Sequence, residues 1–221
     1  LTGGFVTANY SYEAGGGVYA GFYDKDNDGE IEKITFKMTG GTIAGNVADN
    51  AEGGGLRVAG GDSAGTMATI NASDTGRVYI TNNKTNTGST KDRGGDWGGG
   101  GVFIQKGGRL NIFKTLITNN RAGGWGGGIG ACPTGQTIVS HSNGAAIYGN
   151  DDNVDQDGNK LTTVDQNGNK VPTYHYSAGG DGKKEDHDEN DYVTSTFQTS
   201  GHKDFFLVRN KNGADKTIAV V

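Results

Sequence analysis

An aliphatic residue followed by two spacers and an asparagine recurs along the first two thirds of the chain. The aliphatic members of the five copies are Val6, Ile43, Ile80, Ile117 and Ile147. The first four are spaced 37 residues apart, and the fifth follows after a further 30. Self-similarity at a fixed period is typical of repeat architectures, in which each unit stacks on the next.

A glycine triplet and a short apolar run lie between successive copies. The triplets end at Gly17, Gly55, Gly101 and Gly128, and the runs that follow read VYA, LRV, VFI and IGA. Apolar and polar positions then alternate in residues 34–38 and 110–112, and less cleanly in residues 67–70, as in half-buried strands. No segment has a helical period over a helical length. Each unit is therefore predicted to contain three short strands and three turns.

Short strands in units of this size predict an all-β fold, a parallel β-helix whose coils pair with one another. Glycine suits the corners because it adopts unusual backbone dihedrals without a Cβ clash. Asparagine suits the turns because it tolerates the left-handed region and bonds nearby backbone groups. Since equivalent side chains recur one strand spacing apart, we expect an amide ladder of Asn46, Asn83 and Asn120, extended by Asn9 and Asn150.

The strings GGTIAGN, YITNN, LITNN and GGGVYA resemble the repeats of large clostridial and gut-bacterial surface adhesins. More distantly, they are similar to the chlamydial polymorphic outer-membrane proteins, with their Gly-Gly-Ala-Ile and Phe-x-x-Asn motifs. Ile in place of Phe, and Gly-Gly-Gly in place of Gly-Gly-Ala, set this chain nearer to the Gram-positive repeats.

The resemblance covers roughly residues 1–150. It implies a right-handed parallel β-helix that projects from a bacterial cell and binds host structures. It also implies a cell-surface or extracellular location, with a host surface protein or a glycan as partner.

Beyond Asn150 the repeat fades, although the chain is expected to remain one domain. Residues 1–150 are assigned to β-helix repeats, and residues 151–221 to a final coil with a long insert and a C-terminal β cap. The similar segments VDQDGNK and VDQNGNK favour a hairpin. Residues 192–197, 205–209 and 217–221 are predicted strands. Because open strand edges pair with other chains, self-association through the β-helix ends is a further expectation.

Composition narrows the function classes. The chain has 221 residues with 42 glycines, only two prolines and a net charge of −5. It has no basic stripe, which argues against nucleic acid, and no run of about 18 apolar residues, which argues against membrane insertion. Cys132 is the single cysteine, so no internal disulfide is expected. The opening LTGGFVTANY lacks the features of a signal peptide and is expected to be the middle of a longer protein.

One acidic segment resembles the start of a calcium loop. Asp24, Asp26 and Asp28 alternate before a glycine, and oxygen ligands in this spacing suit the many-oxygen shell of calcium. The twelfth position holds Thr rather than Glu, so Glu30 or Glu32 is the candidate for completing the shell. A polar turn without metal is the alternative, and both remain open.

Two tryptophans are the candidate binding residues. Trp97 and Trp125 each precede a glycine triplet, in GGDWGGG and GGWGGG, at equivalent places one coil apart. Amphipathic aromatic rings are enriched where proteins meet partners. The alternative is that both rings pack on the edge of the β-helix corner.

Catalytic patterns are weak, and no catalytic residue is assigned. The G-x-S-x-G match around Ser63 lacks the helix that a nucleophile elbow requires. The glycine runs lack the Gly-Lys-Ser/Thr of a phosphate loop, and His187 lies in an acidic run typical of a solvated loop. The favoured function is a non-catalytic adhesin or stalk module that presents loops for host or glycan binding. The alternative is a carbohydrate-active β-helix enzyme or its binding module, and a structural or ice-binding solenoid is the third.

Overall fold

A computed structural model of the chain describes residues 1–21, 26, 28, 34–49, 51–60, 66–86, 98–105, 107–124, 126–131, 137–142, 144–152, 154–155, 157–160, 162–164, 167–172, 203–207 and 217–220. The regular elements in these residues are β-strands, and none is a helix. The chain passes repeatedly through the same sheets, and each passage is one circuit.

Five successive circuits contain the strands of the described residues. The first has β1 (Phe5–Thr7), β2 (Tyr10–Ser11), β3 (Val18–Gly21) and β4 (Thr35–Met38). The second has β5 (Gly41–Ala44), β6 (Val47–Asp49), β7 (Leu56–Ala59) and β8 (Met67–Asn71), and the third has β9 (Val78–Thr81), β10 (Lys84–Asn86), β11 (Val102–Ile104) and β12 (Arg109–Phe113). The fourth has β13 (Thr115–Thr118), β14 (Ile129–Ala131) and β15 (Thr137–Ser142). The fifth has β16 (Ala146–Tyr148), β17 (Thr162–Val164), β18 (Lys170–Pro172), β19 (Phe205–Leu207) and β20 (Thr217–Val220).

Equivalent strands of successive circuits pair in parallel and build four sheets within the described residues. The first sheet has the order β1-β5-β9-β13-β16, and the second has the order β2-β6-β10. The third has the order β3-β7-β11-β14-β19, and the fourth has the order β4-β8-β12-β15-β20. The fold is therefore all-β with parallel sheets, as the repeat predicted.

The aliphatic residues of the repeat lie in one row across the first sheet. Val6 pairs with Ile43, Ile43 with Ile80, Ile80 with Ile117, and Ile117 with Ile147. Ile43, Ile80 and Ile117 are completely buried, so this row faces the core. One 37-residue unit is thus one circuit, a point that the sequence alone left open.

Rows from the third and fourth sheets complete the hydrophobic core. Burying one aliphatic side chain stabilises a fold by about 1.5–3 kcal/mol. Side chains alternate between the two faces of a strand, so the residues between these core positions point outward. The fully buried members of these rows include Leu56, Val58, Ile70, Val102, Ile104, Leu110, Ile112 and Ile129.

The prediction of three strands per unit is wrong for the first three circuits, which contain four. The additional strands are β2, β6 and β10, which begin directly after Asn9, Asn46 and Asn83. Their sequences YS, VAD and KTN lack the apolar alternation that identifies a strand. They pair because the backbone after each asparagine is held in register with the next circuit: Val47 N donates to Asn9 O, and Lys84 N donates to Asn46 O, both at 2.9 Å.

The first glycine of each triplet turns the chain into the third sheet. Gly15, Gly53, Gly99 and Gly126 have φ angles of 71°, 75°, 64° and 67°. This left-handed region is open to glycine at little cost, whereas a Cβ is strained there. The glycine clusters therefore shape corners, as the sequence predicted.

The segments after the repeats also form strands. The predicted hairpin is confirmed, because β17 and β18 pair antiparallel. The predicted strands around residues 205–209 and 217–221 correspond to β19 and β20, which add to β14 and β15 in the third and fourth sheets. The strand predicted for residues 192–197 lies outside the described residues.

Candidate functional site

The residue before each repeat asparagine has backbone dihedrals in the left-handed region. This turn directs the side chain of the asparagine toward the interior. Ala8, Asn82 and Asn119 have φ angles of 57°, 54° and 56°. In the other two circuits this position is occupied by Gly45 and Gly149, with φ angles of 65° and 68°. The structure brings all five repeat asparagines together in one column, and four of them are at most 1% exposed: Asn46, Asn83, Asn120 and Asn150.

The column is a hydrogen-bonded amide ladder. Asn83 Nδ2 and Asn83 N both donate to Oδ1 of Asn120 at 3.0 Å. Asn83 Nδ2 also donates to the carbonyl of Ile43 in the preceding circuit at 2.9 Å. Asn46 and Asn120 repeat all three bonds. The buried amides are thereby satisfied, which removes the cost of burying them.

Asp204 closes the ladder and was missed by the sequence analysis. Asn150 N and Nδ2 donate to Asp204 Oδ1 at 2.8 and 2.9 Å, as Asn120 donates to Asn150. Asp204 directly precedes β19. A glycine holds the equivalent position before β14 and before each earlier strand of the third sheet. Aligning the run FFL with VFI and IGA would have placed it at this corner. The segment around it was instead predicted only as a cap.

A groove of about 590 Å³ runs along the outward side of the ladder. Three tripeptides from three successive circuits line it, and each consists of the left-handed residue, the ladder asparagine and the residue after it. Its walls are therefore fixed by the ladder and by the sheet pairing of Arg121 with Lys84 and Asp151. The lining consists of residues 82–84, 119–121 and 149–151 together with Lys203.

Within the described residues, the lining of the groove is mostly basic, although the chain carries a net charge of −5. It contains Lys84, Arg121 and Lys203 together with the carboxylate of Asp151. Lys160 forms ion pairs with Asp151 and with the adjacent, buried Asp152, so the negative charge of this wall is compensated. Burial raises the pKa of Asp152 from its ordinary value. A local patch of one sign attracts ligands of the opposite sign whatever the net charge.

Exposed side-chain amides add hydrogen-bonding capacity to the groove. Asn82 and Asn119 are exposed, line the groove and lie one circuit apart. An amide offers two donors and an acceptor, so it can bond to hydroxyl groups as well as to anions. This combination of cations and amides has the chemistry that suits a polar, anionic ligand.

A second polar cluster lies on the outward face of the third sheet. Arg57 pairs with Glu52 at 2.8 Å, donates to Gln105 and lies 5.7 Å from the centre of the Tyr19 ring. Burial raises the pKa of Glu52 above its ordinary value of 4.5, against the opposing effect of Arg57. The cluster ties three successive circuits together.

The other predicted site residues fall mostly where the structure is not described. Trp97, Trp125, Asp24, Glu30 and Glu32 lie outside the described residues. Ser63 and His187 do so as well. Asp26 and Asp28 are described and exposed. The described part of the chain contains no group of three or more His, Cys, Asp or Glu side chains arranged to hold a metal.

Comparisons with protein-family models, curated proteins and solved structures gave no match for this chain. In the ranges that the structure describes, no helix has both the length and the apolar character needed to cross a membrane.

Proposed function

We propose that this chain is a non-catalytic binding module of a bacterial surface or secreted adhesin. It is a right-handed parallel β-helix that presents the groove beside the ladder to an acidic glycan. The observation that carries the proposal is the juxtaposition of Lys84, Arg121 and Lys203 with exposed amides on a hydrogen-bonded scaffold.

Two features support the β-helix. Each circuit contributes strands in the same order to the same sheets, and the register repeats through the rows Val6 to Ile147. Crossover connections between parallel strands of one sheet are right-handed in nearly all proteins. We therefore propose that the β-helix is right-handed.

The chemistry of the groove favours a saccharide that carries carboxylates or sulfates. The Arg121 guanidinium offers a planar fork that matches such groups, while lysines add point charges. Asn82 and Asn119 suit the hydroxyls that every sugar presents. Sites held by rigid elements are already ordered before binding and lose less entropy when the ligand arrives. Trp97 and Trp125 remain our candidates for stacking on sugar rings.

An array of acidic and neutral glycans tests this function. The wild-type chain is compared with a Lys84→Ala, Arg121→Ala, Lys203→Ala variant. The matched control is Lys37→Ala, Arg109→Ala, Lys170→Ala, which removes the same charges from outside the groove. A Trp97→Ala, Trp125→Ala variant tests the stacking contribution separately.

We expect the wild type to bind sulfated or uronate-containing glycans, and the groove variant to lose at least about tenfold in affinity, or about 1.4 kcal/mol. The control variant keeps the wild-type affinity. Equal binding of neutral glycans, or acidic binding that the groove variant retains, would overturn the assignment. Capture of a host protein that carries no glycan would show that the partner is a protein rather than a glycan.

A further inference from the structure

The two exposed cations of the groove lie toward its fifth-circuit end. Arg121 and Lys203 are both exposed, whereas Lys84, toward the third circuit, is half-buried. Within the described residues, the side chains of Arg121 and Lys203 form no ion pair. Exposed cations whose charge is not already paired are the groups most available to an anionic ligand.

Lys203 takes a position that is glycine in every earlier circuit. Phe205 pairs with Ile129 in the third sheet. Lys203 is therefore equivalent to Gly127, the second glycine of the fourth triplet. A Cβ on Gly127 would collide with the backbone of Asp151, so a side chain has no room there. In the fifth circuit the same position carries a lysine, which lines the groove.

The backbone that carries Lys203 is held at two points. Gly128 N donates to Lys203 O at 3.1 Å. Asn150 donates its N–H and its Nδ2 to Asp204 Oδ1, which closes the amide ladder. Asp204 therefore attaches the segment of Lys203 to the same scaffold that positions Arg121.

Arg121 has a carboxylate neighbour that binds elsewhere. Asp151 is the residue opposite Arg121 in the next circuit, and opposite charges in facing positions normally attract each other. The Asp151 carboxylate instead pairs with Lys160 Nζ at 2.5 Å. Lys160 also donates to the Asp152 carbonyl and lies 3.6 Å from the Asp152 carboxylate, so it compensates both acidic groups.

A short turn, residues 155–159, brings Lys160 beside the groove. Its first residue, Asp155, accepts two bonds from backbone N–H groups of the turn through Oδ1, at 2.9 and 2.8 Å. Gly158 in this turn has a φ angle of 89°, and a Cβ there would lie 2.5 Å from Nη1 of Arg121. The turn thus packs against the Arg121 guanidinium while it holds the cation that neutralises the neighbouring carboxylate.

We propose that Arg121 and Lys203 form the subsite that binds the sulfate or carboxylate of the glycan. Its positioning residues are Lys160 and Asp204. Lys160 keeps the Asp151 carboxylate from pairing with Arg121. Asp204 keeps Lys203 at the wall of the groove. The subsite rests on the proposed function, since it assigns part of the same groove.

Calorimetric titrations with two acidic oligosaccharides test the role of Lys160. Dextran sulfate carries only sulfates, hyaluronan carries only carboxylates, and neutral dextran is the control ligand. The variants are Lys160→Ala, Lys160→Arg, and Lys160→Ala combined with Asp151→Asn. The matched control is Lys170→Ala, which removes one exposed lysine from outside the groove.

We expect Lys160→Ala to weaken binding of the acidic oligosaccharide by about threefold or more, because Asp151 then pairs with Arg121. Lys160→Arg and Lys170→Ala keep the wild-type affinity, and adding Asp151→Asn to Lys160→Ala restores it. The oligosaccharide that shows this pattern identifies the anionic group. A Lys160→Ala protein that binds as tightly as the wild type, or a loss that Asp151→Asn does not reverse, would overturn the role of Lys160. A wild-type chain that binds neither acidic oligosaccharide would instead overturn the proposed function itself.

The role of Asp204 is tested by the sign of its effect on the same binding. Replacing Asp204 by alanine removes a negative charge, and charge alone would strengthen the binding of an anion. Positioning predicts the reverse. We therefore expect Asp204→Ala to weaken binding about as much as Lys203→Gly does, with no further loss when the two are combined. Asp204→Asn keeps the Oδ1 acceptor and is expected to bind at least as tightly as the wild type.

Lys203→Gly leaves the bonds between Asn150 and Asp204 in place, so it reports on the cation independently of the ladder. Near-ultraviolet circular dichroism verifies the fold of each variant. Tighter binding by Asp204→Ala, additive losses in the double variant, or an Asp204→Asn protein as weak as Asp204→Ala would overturn the positioning role. Wild-type affinity in Lys203→Gly would overturn the subsite.

Discussion

Asn83 donates to Asn120 through both its side-chain amide and its backbone N–H, at 3.0 Å each, although 37 residues of chain separate them. The two residues are completely buried. Their bonds therefore exist without competition from water, and a missing partner would leave buried polar groups unpaired.

Asn83→Ala is expected to destabilise the fold strongly. It leaves Asn46 N and the Ile43 carbonyl without their ladder partner, and it removes one of the two bonds of Asn46 Nδ2. At about 1–3 kcal/mol for each buried unsatisfied group, the loss should be about 3 kcal/mol or more. Urea unfolding measures it, with Asn9→Ala as the control because Asn9 is exposed. Equal losses in the two variants would contradict the buried ladder.

Gly101→Ala is expected to cost about 1–3 kcal/mol or more, because the new methyl group must displace well-packed atoms. The Cβ would lie 2.6 Å from the Gly128 carbonyl oxygen and 3.0 Å from Asn120 Nδ2. Gly3→Ala is the control, since its Cβ would meet nothing within 4 Å. Thermal unfolding compares the two, and a Gly101→Ala protein as stable as Gly3→Ala would refute the requirement for glycine.

The sequence predicted the parts of the fold that depend on periodic side chains. The rows of Val6 and Ile43, the glycine corners and the asparagine positions all follow from a period that needs no tertiary information. β2 and β6 could not be predicted, because they pair through backbone held by the ladder rather than through apolar side chains. The groove likewise escaped prediction, since Lys84, Arg121 and Lys203 become neighbours only after the circuits stack.

Glu52 is expected to make stability depend on pH in the acidic range. Burial raises its pKa above 4.5, so the folded chain retains the proton to higher pH than the unfolded chain does. The free energy of unfolding therefore falls as the pH rises from 4.5 to the raised value, and the contribution is fully present below 4.5. Glu52→Gln should flatten this fall in urea titrations. A slope identical to that of the wild type would argue against a raised pKa.

Calcium binding at the segment that begins at Asp24 remains a prediction. If oxygens of Asp26 and Asp28 belong to the site, calcium should raise the melting temperature, since a ligand that binds only the folded state stabilises it. Chelator should reverse the effect, and Asp26→Asn with Asp28→Asn should abolish it. A melting temperature that neither calcium nor chelator changes would rule out a structural calcium site.

Binding without catalysis is tested by following one acidic glycan through both binding and prolonged incubation with the wild-type chain. The glycan that the wild-type chain captures on the array is titrated at increasing salt, and its chain length and reducing ends are then measured after prolonged incubation. We expect saturable binding that weakens with salt, and a glycan that is recovered at its original length. Shortened chains or newly formed reducing ends would contradict it and establish a carbohydrate-active enzyme.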